Sequence, residues 1–132
     1  MGSRSSRRRA SVPATVLVAE DHAEVRAALS ALLESAGYRV LAAQNGREAI
    51  ELARAERPDI VLMDVVMPEC DGIAATRALR SGRRTRRIPV VALTALEGAE
   101  AACRAAGVDE VLRKPVDGRA LVELVRRWTG SR

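Results

Sequence analysis

A chain of 132 residues is long enough for one domain with an apolar core and too short for two. Apolar residues make up 48% of it, yet no run approaches the roughly 20 that a membrane helix needs, and the arginine-rich start lacks the apolar stretch of a secretory signal, so a cytoplasmic protein without membrane contact is expected. Four of the +5 formal charges are Arg4, Arg7, Arg8 and Arg9, in a segment (1–11) without acids, so the remainder is close to neutral.

Residues 1–13 are too polar to bury anything and read as a disordered basic tail ahead of one folded domain over 14–130. Thr15–Ala19 is a short aliphatic run, expected as a buried strand. From His22 to Ala36, Val25, Leu29, Leu32, Leu33 and Ala36 fall at helical spacing, and Gly37 ends the helix. Tyr38–Ala43 follows as a second strand, then a helix opens at Asn45-Gly46 and runs to Arg57, where Pro58 stops it. Asp59–Asp64 is the most continuously apolar strand. Residues 68–71 form a turn, and Gly72–Arg80 a helix carrying Ile73, Thr76 and Leu79. Ile88–Leu93 is strand four, Glu97–Ala106 a short Ala-rich helix closed by Gly107, and Val111-Leu112 lie in strand five. Asp117 caps a last helix with Leu121, Leu124, Val125 and Trp128 on one face.

Five strands alternating with five helices imply an α/β fold, a parallel sheet with helices on both faces, because right-handed crossovers place them there. Ligands of such sheets bind beyond the carboxyl ends of the strands. Strand one ends into Glu20-Asp21, strand three at Asp64, strand four into Thr94, and strand five runs into Lys114, so five polar groups are expected at one edge. Each alone has a plain structural explanation: a helix-start acid for Glu20 and Asp21, a turn-former for Asp64, a β-branched strand end for Thr94. Their joint placement does not. Three neighbouring carboxylates repel, and opposing charge must hold them ionised. Lys114, the only lysine beside twenty-one arginines, supplies one charge, and a hard divalent cation such as Mg²⁺ suits the rest.

The stretches that carry these residues are Val-Leu-Val-Ala-Glu20-Asp21, Asp59-Ile-Val-Leu-Met-Asp64-Val-Val-Met-Pro68-Glu-Cys-Asp-Gly72, Val-Ala-Leu-Thr94-Ala95 and Lys114-Pro115. Together they resemble a response-regulator receiver domain over about residues 14–130, in a style similar to the receivers of hybrid histidine kinases and phosphorelays. The resemblance implies a flavodoxin-like five-stranded sheet in the order 2-1-3-4-5. It implies Asp64 as phosphoacceptor, taking a phosphoryl group from a phosphohistidine on a histidine kinase or histidine phosphotransfer protein. It also implies Mg²⁺ on Asp21 and Asp64, with Glu20 through water and Val66 through its backbone carbonyl. Thr94 and Lys114 would engage the phosphoryl group after transfer. The implied role is that of a signalling switch or relay intermediate and not of a turnover enzyme. No DNA-binding module follows the last helix, so a stand-alone receiver and a domain of a hybrid kinase both stay open.

Several features depart from the pattern or fall outside it. Receivers commonly carry Tyr or Phe three residues before the lysine; Val111 stands there, so an aromatic rotation is not the output device. The segment from Thr94 to Gly107 is short and its helix poor in apolar surface, which predicts loose anchoring. With these departures a pseudo-receiver, a binding platform without phosphorylation, remains the alternative. A phosphohydrolase of the haloacid-dehalogenase type is disfavoured by Val66 where a second acid is needed. Cys70 and Cys103 read as free thiols, and His22 as a solvated side chain. Arg77, Arg80, Arg83, Arg84, Arg86 and Arg87 cluster before strand four, remote from the acids. Without interleaved aromatics they read as a solvated loop, and nucleic-acid contact is not expected.

Overall fold

A computed structural model describes residues 12–67 and 70–130. Residues 1–11 of the tail expected over 1–13, and Pro68 and Glu69 at the start of the 68–71 turn, lie outside the described residues. The elements run β1 (Thr15–Ala19), α1 (Ala23–Ser35), β2 (Arg39–Ala43), α2 (Gly46–Glu56), β3 (Ile60–Asp64), α3 (Gly72–Ser81), β4 (Val90–Thr94), α4 (Glu100–Ala106), β5 (Glu110–Arg113) and α5 (Gly118–Thr129). All strands are parallel, in the order β2-β1-β3-β4-β5.

The unbroken apolar runs of β1, β3 and β4 serve two cores at once, because successive side chains point to opposite faces. Leu17, Ala19, Val61, Met63, Val90 and Ala92 face α2, α3 and α4, meeting Ala49, Ala53, Ala75, Leu79 and Cys103. Val16, Val18, Ile60, Leu62, Val91 and Leu93 face α1 and α5, meeting Leu29, Leu33, Leu121, Leu124 and Val125. Helix starts follow local chemistry. Asn45 and Asp71 accept hydrogen bonds at 2.8 Å from the amides of Glu48 and Ala74, and Asp117 accepts one from Arg119. Helix α1 begins after His22 without such a side-chain bond.

Three expectations need correction. The fourth helix starts at Glu100 rather than Glu97, because Gly98 adopts a positive φ of 76° and Ala99 offers no capping side chain. Strand four starts at Val90 rather than Ile88, since Pro89 has no amide to donate into the ladder. Trp128 does not share the burial of Leu121, Leu124 and Val125: it lies at the rim of α5, where its Nε1 donates to Glu110 Oε1 at 2.7 Å.

Arg80, counted by its sequence neighbourhood with the solvated arginines, has an internal role. Its Nε donates to the Gly107 carbonyl at 2.9 Å, and its Nη1 to the carbonyls of Ile88 at 2.8 Å and Arg86 at 3.1 Å. Nη2 pairs with Asp109 Oδ2 at 2.7 Å, which also accepts from the Val90 amide. One guanidinium therefore ties the end of α3, the turn into β4 and the end of α4 together.

Replacing Arg80 by Ala leaves Asp109 and three carbonyls short of a donor, and is expected to cost about 2–3 kcal/mol in urea-induced unfolding. Helix α4 buries only Cys103 and Ala106 of its seven residues. Its amides are expected to exchange with solvent at least tenfold faster than those of β3, and equal protection would contradict the weak anchoring inferred from its composition.

Candidate functional site

Four strand ends build a cleft of about 350 Å³ lined by Glu20, Asp21, His22, Val25, Asp64, Val66, Thr94, Ala95, Leu96 and Lys114. β1 carries its chain into Glu20 and Asp21, and the Glu20 amide donates to the Ala43 carbonyl at 3.0 Å, so the first acid is held against β2. Asp64 closes β3, Thr94 closes β4, and Lys114 follows β5 with its amide on the Thr94 carbonyl at 2.9 Å. The bond from Lys114 to Pro115 is cis.

At the centre, Lys114 Nζ lies 3.2 Å from Glu20 Oε1 and 3.2 Å from Asp64 Oδ1. Glu20 is 2% exposed and its other oxygen accepts from the His22 amide at 3.1 Å. Asp21 is exposed at the mouth of the cleft. Glu20, Asp21 and Asp64 each offer a carboxylate oxygen within 4.8 Å of the others. Burial, reinforced by the Glu20 charge, pushes the Asp64 carboxyl above its ordinary value, against the pull of Lys114. Burial alone would depress the Lys114 ammonium, but the charges of Asp64 and Glu20 outweigh it and hold the group above its usual range.

Three carboxylates against one ammonium leave acid uncompensated, and the three side chains placed to share a cation, Glu20, Asp21 and Asp64, all offer hard oxygens. That set fits Mg²⁺. Glu20, Asp21 and Asp64 would hold it, and Val66 lies at the same cleft with its side chain turned to solvent. Thr94, 2% exposed, accepts a hydrogen bond from the Leu96 amide at 3.0 Å. All six residues singled out from the sequence thus border one cleft. His22 lines it as well, exposed to solvent.

Two supports escaped the sequence. Arg26 Nη1 donates to the carbonyls of Glu20 at 2.8 Å and Asp21 at 3.4 Å, pinning the acidic loop from the first turns of α1. A cation on the helix following two acids was the available signal. Gly72 passes so close beneath Asp64 that a Cβ there would collide with the Asp64 carbonyl, and its amide donates to Val65 at 2.9 Å.

An open parallel sheet of this order, flanked by five helices, is the flavodoxin-like fold, with an acidic cleft where its strand order reverses. The model of the response regulator receiver domain matches residues 16–126, and the chain belongs to that family. It is 34% identical over 122 residues to the polar-differentiation response regulator DivK of Brucella anthropi, covering 91% of this chain and 99% of that one. The receiver domain of the sensor histidine kinase PA1611 from Pseudomonas aeruginosa, solved with a magnesium ion coordinated in its active-site cleft, is 37% identical and superposes with a TM-score of 0.84, covering 91% of this chain and all of that one. The chemotaxis response regulator CheY4 of Vibrio cholerae, 31% identical, gives 0.83 over 89% and 99% of the two chains.

Because burial raises the Asp64 carboxyl above its ordinary value, its charged form weakens the metal-free fold at neutral pH. A carboxyl whose folded value exceeds its unfolded one destabilises the fold above both, and the penalty vanishes below the unfolded value near 3.8. In metal-free buffer at pH 7, Asp64→Asn is therefore expected to melt at a higher temperature than the parent chain. The difference should shrink as pH falls toward about 4. A lower melting temperature for the variant at pH 7 would contradict the assignment.

Proposed function

We propose that this receiver domain is a Mg²⁺-dependent phosphoacceptor, taking a phosphoryl group from a phosphohistidine partner onto Asp64. The observation that carries the reading is the Lys114 ammonium at 3.2 Å from Asp64 Oδ1, inside a group of three carboxylates. The donor would be a histidine kinase or a histidine phosphotransfer protein, since His22 is the chain's only histidine and lies exposed beside the acids. A cytoplasmic location accompanies that partner, and among the described residues no helix is long and apolar enough to cross a membrane.

Asp64 supplies the nucleophile. One carboxylate oxygen forms the bond to phosphorus in line with the breaking phosphorus–nitrogen bond, whose electron pair returns to the donor's imidazole. Charge spreads over the phosphoryl oxygens in flight, so positioning and positive charge do most of the work. Lys114 stands ready to give one of its donors to a phosphoryl oxygen. Thr94 keeps its hydroxyl proton while accepting from Leu96, and can donate it to the same group. Glu20, Asp21, Asp64 and the Val66 carbonyl would hold Mg²⁺, which when bound would supply further positive charge to the cleft.

The new group adds about 1.5–2 negative charges beside residues already short of cations. If drawing Lys114 and Thr94 inward favours one arrangement of the β4–α4 loop by about 2–3 kcal/mol, populations move by roughly one to two orders of magnitude. Val111, half-buried among the residues of the α2–α4 face, takes no polar part in this. The chain acts as a switch or relay intermediate, not as a turnover enzyme.

Mass measurement after treatment with acetyl phosphate tests the proposal. One phosphoryl group is expected with Mg²⁺, none with a chelator, and none in Asp64→Asn. The adduct should survive acid and be lost in base. Lys114→Ala is expected to retain part of the labelling while losing the accompanying change in amide exchange around Thr94. Undiminished labelling of Asp64→Asn would remove Asp64 as acceptor, and a chain that neither binds Mg²⁺ in a titration nor takes up phosphate would be a binding platform instead.

A further inference from the structure

We infer that the end of the sheet opposite the acidic cleft is a contact surface for the phosphodiester backbone of double-stranded nucleic acid, centred on the arginines of the turn between α3 and β4. Between Asp71 and Glu97 the chain contains six arginines and no acid. One of them, Arg80, is used internally. Arg77, Arg83, Arg84, Arg86 and Arg87 are all exposed, and among the described residues they form no ion pair.

The turn that carries them is built to stay in place. Thr85, at its middle, is fully buried and donates its hydroxyl to the Leu79 carbonyl at 2.7 Å. Gly82 packs against that hydroxyl, and the amides of Thr85 and Arg86 both return to the Gly82 carbonyl. Arg80 then fastens the far side of the turn through the carbonyls of Arg86 and Ile88. Two inward polar side chains thus hold a short loop whose four remaining arginines point into water. Asp109, the acid that approaches the turn, is taken by Arg80 and the Val90 amide. Like charges held on a rigid turn repel at close range, and an external polyanion relieves that repulsion.

The turn precedes β4, so it lies where the parallel strands begin. The Asp64 cleft lies at the other edge. A polyanion held here leaves the cleft open.

The absence of aromatics, which counts against stacking on single-stranded bases, does not bear on a duplex gripped through its phosphates. Arginine forks suit phosphate oxygens, and nothing in this turn offers a helix or ribbon that could read base edges. Binding should accordingly be independent of base sequence and steeply dependent on salt.

The test is fluorescence anisotropy of a labelled mixed-sequence DNA duplex with the full chain. A slope of log affinity against log salt of about −4 or steeper is expected, a loss on the order of 10² between about 50 and 200 mM salt. The variant R83Q/R84Q/R86Q/R87Q should flatten the slope by about 3 to 4, close to one for each lost contact. Should that variant melt abnormally, R83Q/R87Q should flatten it by about 2. Asp64→Asn should bind like the parent chain, since the inference does not depend on phosphoryl transfer. Unchanged binding by the turn variants overturns it, as does binding that disappears only in R4Q/R7Q/R8Q/R9Q. So does capture of poly-glutamate in preference to the duplex, which would assign the surface to an acidic polypeptide.

Discussion

The ammonium of Lys114 shared between Glu20 and Asp64 is the interaction on which the cleft depends. It joins groups 94 and 50 residues apart in sequence and draws β5 toward the acidic loop after β1. Burial of Glu20 and Asp64 would be prohibitively costly without an opposing charge, because an unpaired ion loses its hydration with nothing in return. The compensation is incomplete, as the raised Asp64 value indicates. That shortfall is the electrostatic condition that the proposed cation and phosphoryl chemistry would use.

The sheet makes such an arrangement affordable. Backbone hydrogen bonding in β1, β3 and β4 is satisfied within the ladder, and their side chains fill two aliphatic cores. The strand ends are therefore rigid emplacements, free of other duties. Gly72 lets α3 start directly beneath Asp64, and Arg26 holds the acidic loop by its carbonyls. These supports orient the charged groups without competing for their oxygens.

Much of this was legible in the sequence, for identifiable reasons. Glu20, Asp21, Asp64, Thr94 and Lys114 each follow an apolar run, and in a parallel sheet that position alone sends them to one edge. The family motif added roles to a site already marked by chemistry. What escaped was non-local or depended on backbone conformation. Nothing in a run of six arginines says that Arg80 turns inward, because its partners Gly107 and Asp109 lie 27 and 29 residues away. The late start of α4 followed from the positive φ of Gly98, which a helical pattern of alanines conceals. Trp128 kept its place on the apolar side of α5 in sequence, but Glu110 of β5 offered its indole a partner at the rim.

Because its twenty-one other Lys/Arg side chains are all arginine, the chain contains a single ε-amino group, and it is the one inside the cleft. Amine-selective chemistry, which on most proteins yields a blur of surface adducts, has here only the α-amine and this half-buried position to choose between. The extent of acylation at Lys114 is thus a direct gauge of whether that amine is engaged by its carboxylates or released from them, readable on the unaltered polypeptide without an engineered reporter.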